Sequence, residues 1–300
     1  MTHNTNAARS SRVAPHPETA PVRTSGGLGR ASDLLTVVVA VLSLAAALGG
    51  LLVDGVYTGA ASTAAMFRAY DLVTAVLAVP CLAVAYALAR RGSVLSRLVI
   101  TSLLAYLVYT YAYYLFGTGF NDLFLLHAAS FAAGVCALVL NVAALDIPSV
   151  THRFAVHTPV RTVASILGIL AVTLAGMWVY FAVDNAATGQ VPTGSQLVET
   201  DTIVHLGMAL DLTLLVPLYA AAAVLLWRHS AWGYVLAAVA LFAGILHQVS
   251  YVIAMPFQVA ADIPGAVSYD PAEPVIVFLY LAATALLLRG PGSASTRQEV

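Results

Sequence analysis

The feature that most constrains this chain is the recurrence of apolar runs of about 20 residues, the length an α-helix needs to cross the hydrocarbon core of a bilayer. They fall at 33–54, 67–89, 97–117, 122–145, 162–183, 203–227, 232–256 and 274–289. Helices of this length in a soluble core carry a polar face, and these runs do not. The composition agrees, with 60% hydrophobic and 9% charged residues, against about 25% charged in an average soluble domain. The predicted fold class is therefore all-α, a polytopic membrane helix bundle of about eight transmembrane helices. Residues 1–31 are polar and rich in Ser, Thr, Pro and Arg and read as a disordered tail. Residues 32–290 read as the transmembrane domain and 291–300 as a second short tail. The first run shows no obvious cleavage site before Asp54 and is read as a retained helix.

Charge placement predicts orientation. All 13 basic residues are Arg, and an inside N-terminus leaves only Arg68 on the outer side, so 12 of 13 lie inside. By the positive-inside rule both termini are expected on the cytoplasmic side of a cell membrane. The outer loops collect acids instead: Asp54, Asp122, Asp184, Glu199, Asp201, Asp262, Asp270 and Glu273. A net charge of −1 gives no bulk attraction to nucleic acid, so the expected partners are the lipid bilayer and an unidentified small molecule. An Ala-, Val-, Leu- and Arg-rich chain with no Lys points to a GC-rich bacterial genome, which bears on codons and not on function.

Several chemistries lack their residues. There is no Walker A loop, HExxH helix or nucleophile elbow. Cys81 and Cys136 lie singly in apolar runs and read as small buried hydrophobes. His127, His205 and His247 are the histidines available within spans, but their unequal depths argue against one shared metal or haem. No cofactor is predicted.

The two halves, 32–146 and 160–290, resemble each other. DGVYTG at Asp54–Gly59 parallels DNAATG at Asp184–Gly189, and AYDL followed by Val79-Pro80 parallels ALDL followed by Val216-Pro217. A three-residue gap is needed between the last two marks. A duplication of this kind inserts both halves in one orientation, as in parallel-repeat transporters. It places helices two and three against six and seven, around a central site.

The candidate site residues are polar groups inside apolar runs, which are costly in lipid and so face protein or water. Asp211 and His247 lie on neighbouring antiparallel spans, roughly 12 Å deep at 1.5 Å per residue, and are predicted to hydrogen-bond each other. Tyr106 and Tyr109 share a stripe with Ser102 and Tyr113, while Tyr113 and Tyr114 also fit an interfacial aromatic belt. His127 shares a face with Ser130, Gly134 and Asn141, a pattern that also serves helix–helix contact. Asp71 matches Asp211 in the repeat, although a simple interfacial Arg68–Asp71 ion pair is the favoured reading of that residue. Tyr251 and Gly244 flank His247 one turn away on either side.

These residues suit three functions. The first is transport or permeation of a small solute through an outward-facing polar cavity. The second is a membrane-embedded enzyme acting on a lipid or isoprenoid, with His247 as base oriented by Asp211. The third is a structural or regulatory subunit whose polar groups merely tie helices together.

Overall fold

The computed structural model describes residues 25–155, 158–192 and 195–289; both predicted tails fall largely outside them. Among the described residues the fold is all-helical, and seven helices are long and apolar enough to cross a membrane. In chain order they are α1 (Ser25–Leu52), α2 (Ala61–Ala89), α3 (Val94–Phe116), α4 (Phe124–Ala143), α6 (Val160–Thr188), α7 (Asp201–Trp227) and α8 (Ala231–Ala260). Two further helices are shorter: α5 (Ile147–Ala155) and α9 (Glu273–Leu287). The architecture is consistent with a multi-pass membrane helix bundle. Its outer face is apolar as lipid contact requires, with Leu125 79% and Val172 74% exposed.

The helices form two rings of four. In the first, α1 packs on α2 and α4, and α3 closes the circle between them. In the second, α6 packs on α7 and α9, and α8 closes it. The rings join along α8, which lies against both α2 and α3. Small side chains explain why α8 can serve as that seam. Ala237, Ala238, Ala240, Ala243 and Gly244 are all buried, and small residues let helix backbones approach closely.

Polar groups secure the ends. At one end Asp33 accepts from Arg90 at 3.3 Å and pairs with Arg97, fastening the start of α1 to the α2–α3 turn. α1 is already helical at Ser25, before the run predicted to start at residue 33. At the opposite end Arg68 donates to the Leu51 carbonyl at 2.9 Å and lies 3.4 Å from Asp54. The predicted Arg68–Asp71 pair is not formed, because Asp71 points into the first ring. One further expectation is corrected: Cys81 and Cys136 are exposed on the bundle surface rather than buried. Between the fourth and fifth spans, helix α5 buries Val150 and Phe154, and the Phe154 ring stacks 6.3 Å from that of Tyr234 on α8.

Both α2 and α7 are interrupted by a five-residue π-helical segment, Thr74–Ala78 and Asp211–Leu215. Each ends two residues before a proline, Pro80 and Pro217. Proline cannot donate a backbone hydrogen bond to the preceding turn, and the widened turn absorbs the freed carbonyl. Moving forward 137 positions carries Thr74 to Asp211, Ala78 to Leu215 and Pro80 to Pro217. In backbone terms the counterpart of Asp211 is therefore Thr74, and Asp71 sits about one turn earlier. The DGVYTG and DNAATG marks also differ in shape. α1 ends at Leu52 before its mark, while α6 runs through its own to Thr188.

Candidate functional site

The second ring encloses a cavity of about 470 Å³, within the size of small-molecule sites. Its walls come from all four helices of that ring, with Tyr70 of α2 and Tyr109, Thr110 and Tyr113 of α3 contributed by the first. Asp211 and His247 both border it, as do Tyr109 and Tyr251. Asp71, Tyr106 and His127 do not. The site thus lies in the second ring where α2 and α3 of the first ring close it, so helices two, three, six and seven of the sequence all border it.

Asp211 opens the π segment of α7, ten residues after Asp201 and so about 15 Å along the helix. Its Oδ1 accepts from the Tyr109 hydroxyl at 2.5 Å and its Oδ2 from the Trp178 indole N–H at 2.8 Å. The predicted bond to His247 is absent. Tyr109 stands between them, and the imidazole meets its ring edge-on at 4.4 Å. His247 lies thirteen residues before the end of α8 at Ala260, about 20 Å by the same rise. The two residues share a cavity, but at different heights, so the aspartate does not orient the imidazole. Trp178 was invisible as a site residue, since one Trp in an apolar span reads as packing; only its partner gives it meaning.

The end of the cavity beside the α6–α7 and α8–α9 loops is tied off by them. The Tyr251 hydroxyl donates to Asp270 at 2.8 Å and accepts from the Gln196 backbone N–H at 3.1 Å. Gln258 clamps Val198 through both its N–H and its carbonyl, at 2.9 Å each. Gln248 donates to Glu273 at 2.7 Å. In the same loop Glu199 accepts from the Ser195 hydroxyl at 2.9 Å, and burial pushes its carboxyl above the ordinary carboxylate range. At the opposite end the Tyr219 and Tyr280 hydroxyls bond each other at 2.7 Å. Gly244 makes room for the Tyr280 ring there, so its small size serves this packing.

The side wall is less complete. Ile169 on α6 and Val275 on α9 line the cavity yet are 55% and 62% exposed. The cavity therefore reaches the bundle surface between α6 and α9, the side that faces lipid in a membrane.

The first ring is filled where the second is hollow. Asp71 accepts from the Tyr57 hydroxyl at 2.6 Å and the Tyr114 hydroxyl at 2.9 Å. Tyr57 enters from the α1–α2 loop, and burial holds its phenol well above its usual range, so it stays a donor. Around this core the Phe67 and His127 rings lie 4.4 and 4.6 Å from Tyr114. His127 is fully buried, and neither ring nitrogen has a hydrogen-bond partner among the described residues. Tyr114 is 2% exposed, so it is a core residue and not part of an interfacial belt. Tyr106, also buried, bonds Ser250 at 2.8 Å and so joins α3 to α8. Tyr111 donates to the Ser43 carbonyl at 3.3 Å. The tyrosines of α3 thus part four ways: Tyr114 to Asp71, Tyr111 to Ser43, Tyr106 to Ser250, and Tyr109 and Tyr113 to the cavity.

Among the described residues no three His, Cys, Asp or Glu side chains converge as a metal site would require. The chain matches no protein-family model, no curated protein and no solved structure. Function has to be read from the cavity itself.

Proposed function

We propose that this is a multi-pass protein of the cell membrane that takes a small lipid-soluble molecule from the bilayer into the cavity of its second ring. The observation that carries the reading is the incomplete wall at Ile169 and Val275 beside a cavity whose outer end is closed by loops. A water-borne solute would need an opening at that tied-off end; an apolar one would enter from the side. Tyr109, Asp211, His247 and Tyr251 supply the polar contacts that fix orientation, as the few polar groups of apolar pockets do. In this reading α9 is the eighth crossing. Its 15 residues span only about 22 Å, leaving one wall short. Both termini lie on the cytoplasmic side, in keeping with 12 of 13 Arg residues.

A second reading, transport by two duplicated halves, is favoured by the matched π segments and prolines of α2 and α7. Under it the cavity is one station of a path, and the filled first ring is the half that lost its hollow.

Trp178 offers a test, because its indole bonds an aspartate of the cavity wall. With Trp227→Phe and Trp232→Phe it becomes the one remaining indole. Quenching by 1-bromonaphthalene is expected to saturate, and to become linear when Thr173→Phe fills the cavity. Linear quenching before and after that change, as from probe dissolved in lipid alone, would remove the reading.

A further inference from the structure

We infer that the cavity selects an organic cation, an amine or quaternary onium group carried on an apolar body. The inference rests on the cavity being a ligand site and goes on to name the ligand's chemistry.

Asp211 is the starting point. Its two oxygens each accept one hydrogen bond, from Tyr109 and Trp178. Both donors stabilise the ionised form, since bonds to a charged acceptor are the stronger ones. A carboxylate so prepared still lacks a counter-charge. The ion pairs among the described residues involve Asp33 and Asp54, the chain has no Lys, and no Arg borders the cavity. An ionised group held in a low-dielectric interior without a partner is costly. The missing charge is one that a ligand can bring.

The walls have the matching character. Six tyrosines line the cavity: Tyr70, Tyr109, Tyr113, Tyr219, Tyr251 and Tyr280. Their ring faces are negative and attract an onium group, most strongly where water is excluded. The His247 ring lies against Tyr109 at 4.4 Å and helps hold that phenol at Asp211. An anionic ligand would meet a carboxylate and no cation. A neutral one would leave Asp211 as uncompensated as before.

Two ions of the same shape and opposite sign provide the experiment. Equilibrium binding of tetraphenylphosphonium and tetraphenylborate is measured on the purified full chain in detergent. The expected result is at least tenfold tighter binding of the phosphonium. Asp211→Asn should erase most of that preference, and Asp211→Glu, which keeps the charge, should retain it. Saturable 1-bromonaphthalene quenching of Trp178 in each variant verifies that the cavity is intact. Equal affinity for the two ions, or a preference unmoved by Asp211→Asn, would overturn the cation assignment and leave the cavity reading in place. Saturable binding of neither ion, together with linear quenching in the parent chain, would remove both.

Discussion

Asp71→Leu is expected to cost several kcal/mol of stability, more than removal of any other single polar side chain in the first ring. The carboxylate is 2% exposed, and it is the acceptor for both Tyr57 and Tyr114. Leucine is close enough in size to keep the packing, so the loss comes from the buried Tyr57 hydroxyl left without a partner and from the Tyr114 hydroxyl left with the Phe67 carbonyl alone, 3.1 Å away. An orphaned buried donor costs about 1–3 kcal/mol and a lost hydrogen bond about 1 kcal/mol, giving roughly 2–4 kcal/mol for the pair. The same physics predicts a rescue. Adding Tyr57→Phe and Tyr114→Phe removes the orphaned donors, and replacing all partners of a buried network by apolar groups is close to neutral. The triple variant should therefore melt well above the single one, as a mutant cycle would show. Equal melting of the two would mean that Asp71 contributes something other than acceptance of these two bonds.

Gly233→Ala is expected to be strongly destabilising for a single added methyl group. Gly233 sits in the first turn of α8, directly after the α7–α8 turn, where His229 adopts a left-handed φ of 54°. A Cβ there would lie 2.5 Å from the Leu225 carbonyl carbon and from Leu226 Cα. These are backbone atoms of the preceding helix and cannot swing aside. Alanine in a helix gains about 1 kcal/mol over glycine, but overpacking against rigid neighbours costs about 3 kcal/mol or more. The net effect is destabilising. Gly176→Ala in α6 is the control, because a Cβ at that position meets nothing within 4 Å. It should leave the melting midpoint unchanged or raise it, while Gly233→Ala lowers it.

The sequence carried the spans because helix length and apolarity are local properties. Each of the eight predicted runs has a helix over most of its length, and the errors lie at the ends. α1, for example, is helical from Ser25, eight residues before its apolar run begins at 33. Depth and helix face were legible only in part: Asp211, His247, Tyr109 and Tyr251 border one cavity, while Asp71, Tyr106 and His127, chosen on the same grounds, do not. Partner identity was not legible. A single chain shows that Asp211 needs donors, but nothing along it points to Trp178, 33 positions away on α6. Asp71 illustrates the same limit. The AYDL and ALDL strings align it with Asp211, yet the π segments shift that correspondence by one turn and the two carboxylates face different rings. Periodicity assigns a face only while the helix keeps 3.6 residues per turn, and a π turn breaks that count.

The central claim is that one ring is hollow and its counterpart filled. Matched cysteines test it most directly. In a Cys81→Ala, Cys136→Ala background, Leu215→Cys places a thiol in the wall of the second-ring cavity. Ala78→Cys places one at the equivalent turn of α2, where the parent side chain is fully buried. N-phenylmaleimide, small and apolar, is expected to label Leu215→Cys and leave Ala78→Cys unreacted, with tetraphenylphosphonium slowing the first reaction. Equal labelling at both positions, or at neither, would contradict the account.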